Sequence, residues 1–137
     1  MAYYLERRVT GDIDDVEAAV RDALSAEGFG VLTEIDVAAT LQEKLGLDDH
    51  DAYQILGACN PELAHQALDV EPNLGVLLPC NVIVYEADAD AADAGDEVVI
   101  AAVDPESMLS IVDNPELDQF ATDVKASLER ALDDAVV

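Results

Sequence analysis

Residues 52–84 read AYQILGACNPELAHQALDVEPNLGVLLPCNVIV, and their reading decides the fold. The apolar run 52–59 predicts a strand. Asn60-Pro61-Glu62 then combines a good N-cap, a proline suited to the first helical position and an acid near the positive helix end. A helix is therefore expected from Asn60-Pro61 to about Leu68, with Leu63, Ala64, Ala67 and Leu68 on its apolar side. Glu71-Pro72-Asn73 reads as a turn, and Leu74 to Glu86 as one long strand, broken or bulged at Pro79. Both cysteines of the chain, Cys59 and Cys80, lie here, each followed by an asparagine, Asn60 and Asn81.

Working outward, residues 2–9 predict a first strand and Asp12 to Glu27 an amphipathic helix, with Ile13, Val16, Val20, Ala23 and Leu24 at helical spacing. Phe29 to Ile35 predicts a second strand. Asp36 is placed to cap a short helix that stops at Gly46, and Leu47 to Asp51 is a polar loop containing His50. Glu97 to Val103 predicts a fifth strand, paired with the fourth as a hairpin. Asp104-Pro105-Glu106 and Asn114-Pro115-Glu116 repeat the helix-start device, giving a short helix to about Val112 and a last one to about Asp134. The expected fold is α+β: one two-layer domain over residues 1–137, a mostly antiparallel sheet of about five strands with helices packed on it. One parallel strand neighbour is also plausible from the mixed order.

Charge bounds the partners. Thirty-one Asp and Glu face six Lys and Arg, a formal net charge of −25, yet half the residues are hydrophobic. A folded body this acidic repels itself in dilute buffer. Salt near 1 M shortens the Debye length to ~3 Å. With lysine only at Lys44 and Lys125, the expectation is a cytoplasmic protein of a salt-rich cell. Nucleic acid and anionic membrane surfaces are disfavoured, because phosphate binding needs clustered basic side chains and Arg7-Arg8 is the only adjacent pair. No signal-peptide core and no apolar run long enough to span a membrane is present.

Among chemistry-bearing residues, Cys59 would end a strand before a helix N-terminus, where the helix field lowers a thiol pKa. If the strands are neighbours, Cys59 and Cys80 form a dithiol able to exchange redox state or hold a soft metal. Against this, free cysteine most often packs as a small hydrophobe. His65 and Glu34 complete the candidate set of Cys59, Asn60, Cys80, Asn81, Glu34 and His65. A zinc site would need about four ligands, so no metal and no cofactor is expected. Asp88, Asp90, Asp93, Gly95 and Asp96 depart from calcium-loop spacing and read as a solvated loop.

GFGVLTEIDV (28–37), YQILGACNPELAHQAL (53–68), LLPCNVIVYE (77–86), Asp104-Pro105 and Met108 together resemble the domain of unknown function 302 family over nearly the whole chain. The resemblance implies a compact α+β domain, often homodimeric, with no established reaction. Its recognisable motifs fall on Glu34, Asp36, Gly57, Cys59, Asn60, Pro61, Ala64, Pro79, Cys80 and Asn81. Two functions follow as expectations: a small-ligand or thiol-chemistry module at the two Cys-Asn pairs, or a non-catalytic homodimeric interaction protein whose cysteines are packing residues.

Overall fold

The structure is a computed structural model and describes residues 2–87 and 97–136. Five strands, β1 (Tyr4–Thr10), β2 (Gly30–Asp36), β3 (Tyr53–Cys59), β4 (Cys80–Glu86) and β5 (Glu97–Val103), form one sheet in the order β1-β5-β4-β3-β2. Five α-helices accompany them among the described residues: α1 (Ile13–Ala26), α2 (Val37–Leu45), α3 (Pro61–Val70), α4 (Pro105–Leu109) and α5 (Asp118–Ala135). Every strand pair is antiparallel, so the parallel neighbour considered from the element order is not formed. α1 carries the chain from β1 at one edge across the sheet to β2 at the other, which runs the same way as β1, while α2 and α3 each join antiparallel neighbours.

The helix starts follow from the capping residues. Asp12 accepts from Asp14 N and Asp15 N, Asp36 from Ala39 N, Asn60 from Leu63 N and Asp104 from Glu106 N and Ser107 N. Each satisfies amide donors that a helix start leaves without partners. Gly46 ends α2 in the left-handed region, at φ 70°, as a C-terminal glycine commonly does. Asn114 caps a 3-10 turn, Pro115–Leu117, and the long helix begins one turn later than its start signal suggests.

Two expected elements come out shorter. The long fourth strand is confined to Cys80–Glu86; Pro72–Leu77 form a 3-10 helix instead, with Leu74 buried beneath it. Pro79 lacks the N–H that a ladder needs, so pairing begins after it. The fourth helix ends at Leu109, ahead of Val112. The acidic stretch from Asp88 to Asp96 lies outside the described residues.

The core lies between one sheet face and α1 and α5. Val16, Val20 and Leu24 from α1 and Val124, Leu128 and Leu132 from α5 meet Leu56, Ala58, Cys80, Val82, Val84 and Ile100. A second cluster joins Ala67 of α3, Leu74, Leu109, Leu117 and Ala121. Helix α2 contributes no buried side chain and lies along β2 and β3. Strand β2 is an outer strand, and its register shifts between Val31 and Thr33, leaving Leu32 exposed at a bulge.

Strand alternation sends the other side chains to the opposite face: Tyr4, Glu6 and Arg8 of β1, Val99, Ala101 and Val103 of β5, Asn81, Ile83 and Tyr85 of β4, and Tyr53 and Ile55 of β3. Val99 and Ala101 are buried, yet they belong to neither helix-packed cluster. Their cross-strand neighbours are Arg8 and Tyr85 for the first, and Glu6 and Ile83 for the second. Among the described residues, this face carries no helix.

Candidate functional site

The cysteine centre forms where the sequence pattern places it. β3 and β4 are neighbours, Cys80 opposes Ala58, and Cys59 stands one residue further along β3. Both thiols are free, and both border a small cavity with Phe29, Leu63, Leu78 and Phe120. Its volume is about 10 Å³, space for at most one water. Burial pushes the Cys59 thiol above its ordinary value. Burial, with a smaller contribution from Cys59, pushes Cys80 up to about 11. At Cys59 burial acts against the lowering that a helix start would bring, and at both positions it favours the neutral thiol.

The other candidates separate. Asn60 alone stays with the cysteines at the border of that cavity, and its side chain caps α3, with Oδ1 accepting from Leu63 N at 3.2 Å. Asn81 is exposed and borders a hollow on the helix-free face, on the other side of the sheet from Cys80. Glu34 forms an ion pair with Arg21, which also holds Glu17 at 3.2 Å, tying β2 to α1. His65 is solvent-facing on α3, 3.9 Å from Asp69 one turn on, so it does not join the cysteines. Among the described residues, no three His, Cys, Asp or Glu side chains converge as a metal centre would require.

A different constellation stands out on the helix-free face. A hollow of about 480 Å³ is bordered by Tyr3, Tyr4, Tyr53 and Tyr85 together with Asn81 and Ile83. These are all four tyrosines of the chain. Tyr53 and Tyr85 oppose each other in the β3–β4 ladder and stack, with ring centroids 5.1 Å apart and planes 12° from parallel. Tyr3 and Tyr4 meet edge to face at 5.0 Å. Tyr3 is held by its own backbone, whose carbonyl accepts from Asp104 N at 2.8 Å. Asp104 is itself buried and paired with Lys125 Nζ at 3.1 Å, so the charge that anchors this corner is satisfied. Burial, then the neighbouring Tyr85 and Tyr3, pushes the Tyr53 phenol above its usual range.

The electrostatics of this face differ from those of the whole chain. At the outward positions of the five strands the charged groups are Glu6, Arg8 and Glu97, a net charge of −1. Arg8 reaches Glu97 at 2.8 Å and Glu6 at 3.5 Å, and these contacts raise its guanidinium pKa. One sequence signal did point here. β5 reads EVVIAAV with no polar alternation, the pattern of a strand covered on both faces.

The same fold is found in a crystal structure of an uncharacterised conserved protein from Bacillus stearothermophilus described as DUF302. That structure superposes with a TM-score of 0.87 and 28% sequence identity, over 98% of this chain and 99% of the other. No curated protein matches this sequence. No described helix is long and apolar enough to cross a membrane. The family model for the domain of unknown function DUF302 matches residues 5–135, and with that coverage the chain belongs to the DUF302 family.

Proposed function

We propose that this protein is a non-catalytic interaction domain that pairs with a second copy of itself through the helix-free face of its sheet. The observation carrying this reading is the gathering of all four tyrosines on that one face. Tyrosine is enriched at the centres of protein interfaces, where a large apolar ring and a polar tip serve together. Charge supports self-association here: two bodies of net charge −25 repel over most of their surfaces, whereas this face carries a net −1. Size supports it as well. Five strands spaced ~4.8 Å and about six residues rising ~3.4 Å each give a face of roughly 500 Å² in projection. With side-chain relief that is of the order of the ~800 Å² each partner contributes to a standard interface. Two such faces would pack as stacked sheets about 10 Å apart.

On this reading Cys59 and Cys80 are packing residues. A cavity of about 10 Å³ and thiols held neutral offer neither ligand space nor a nucleophile. We place the protein in a salt-rich cytoplasm on the strength of its acid excess. Sedimentation velocity in molar KCl tests the pairing. The wild type is expected to run as a dimer, and Ile83→Asp, which puts a carboxylate in the middle of the face, as a monomer with unchanged circular dichroism. A wild type that stays monomeric at tens of micromolar, or an Ile83→Asp dimer, overturns the reading.

A further inference from the structure

A second hollow lies at the end of the β3–β4 ladder, where the loop between α2 and β3 meets the tyrosine stack. Its volume is about 400 Å³, within the usual range for small-molecule sites, and it is bordered by His50, Tyr53, Tyr85, Asp49, Asp51 and Glu86. We infer that this hollow binds a small organic cation, of the quaternary-ammonium class.

The aromatic wall carries the inference. The chain has only eight ring-bearing side chains of Phe, Tyr and His, and three of them border this one hollow. Tyr53 and Tyr85 stack nearly parallel, which leaves an outer ring face rich in π-density for a cation to sit against. His50 meets Tyr53 edge to face at 6.5 Å, and its Nδ1 donates to the Asp51 carbonyl at 2.6 Å, which fixes the imidazole beside the stack. Carboxylates alone would discriminate nothing on a chain with thirty-one of them. Here they add to the rings. Asp49, Asp51 and Glu86 form no ion pair with a Lys or Arg among the described residues. Arg8, the cation nearest Tyr85 in the sheet, is occupied by Glu97 and Glu6. A weakly hydrated organic cation gains from both the ring face and the carboxylates, whereas an anion is repelled and a neutral isostere gains from neither charge term.

The hollow shares Tyr53 and Tyr85 with the face proposed above to pair, so the oligomeric state is recorded by sedimentation velocity alongside the titration, and failure of the site is read apart from failure of the pairing. Choline chloride and its uncharged carbon isostere, 3,3-dimethylbutanol, are titrated into the wild-type protein at constant ionic strength in KCl, following the tyrosine ring signals by NMR. Choline is expected to shift the Tyr53 and Tyr85 signals saturably, and to bind several-fold more tightly than the isostere. Tyr53→Leu is expected to weaken choline by about 2- to 30-fold, the range of a cation–π contact. Tyr4→Leu, outside this hollow, is expected to leave it unchanged. Should Tyr53→Leu fail to fold, the wild-type comparison of choline with its isostere, and Asp51→Asn combined with Glu86→Gln, still decide. Equal binding of choline and the isostere, the absence of a saturable ring shift, or full choline binding in folded Tyr53→Leu overturns the inference.

Discussion

The thiol of Cys80 sits 5% exposed in the core, and its pKa stands at about 11 against an ordinary value of 9.0. At pH 8 a thiol of ordinary pKa is roughly 10% thiolate, while one near 11 is roughly 0.1% thiolate. Labelling of Cys80 by an aromatic disulfide reagent in a Cys59→Ala background is therefore expected to run at least ~100-fold slower in the folded protein than in denaturant, with burial slowing it further. The same shift has a signed effect on stability. The folded pKa lies above the unfolded one, so the folded state retains a proton that the unfolded state has lost between pH 9 and 11. The associated stability is complete below pH 9 and falls as pH rises through 11, approaching about 2.7 kcal/mol for a two-unit shift. Guanidinium denaturation of wild type and Cys80→Ala at pH 8 and pH 10.5 isolates that contribution. The cavity left by the alanine costs the same at both values, so the gap between the two proteins should narrow by roughly 2 kcal/mol at the higher pH. Raised pKa values at Cys59 and Tyr53 act in the same direction in both proteins and cancel. A Cys80 that labels as fast folded as unfolded, or a gap that does not change with pH, would refute the argument and return thiol chemistry to consideration.

Gly57 is fixed by what surrounds it: a Cβ there would fall on Thr33 Oγ1 and lie 2.8 Å from Pro79 Cγ. Gly57→Ala is expected to cost about 1–3 kcal/mol of overpacking, read as a lower denaturation midpoint with unchanged slope. Asn60→Ala removes the α3 cap and should cost about 1 kcal/mol, read as a lower denaturation midpoint. The melting temperature should rise between dilute buffer and molar KCl, because five of the six Lys and Arg are already committed to ion pairs and most carboxylates are left to repel one another. A melting temperature unaffected by KCl would count against the salt-rich reading.

The local grammar of the chain was largely legible. Asp12, Asp36, Asn60 and Asp104 cap the helices their sequence contexts predict, because a cap is decided within four residues. The segment Leu74–Leu77 was not legible, since a short apolar run looks the same as a strand and as a 3-10 turn packed on a core. The adjacency of Cys59 and Cys80 followed from their two strands, but the burial that raises their pKa values did not; it depends on how Phe29, Leu63 and Phe120 close around them. The tyrosine face was hidden for a different reason. The adjacent Tyr3 and Tyr4, with Tyr53 and Tyr85, come from three distant parts of the chain, and only the order β1-β5-β4-β3 brings them into one hollow. Strand order is set by which hydrophobic faces are buried together, a non-local choice.

The bulge at Leu32 has a bearing on assembly. An outer strand with regular hydrogen-bonding groups invites another sheet to add to it, one molecule after the next, without end. β2 interrupts its ladder at that bulge, and β1 at the opposite edge carries Glu6, Arg7 and Arg8 in succession. Lateral growth is thereby discouraged at both margins, while the tyrosine face remains available. On the proposed pairing, a contact through that face would be used up once two molecules met about a twofold axis, so association would terminate at a pair and not run on into filaments.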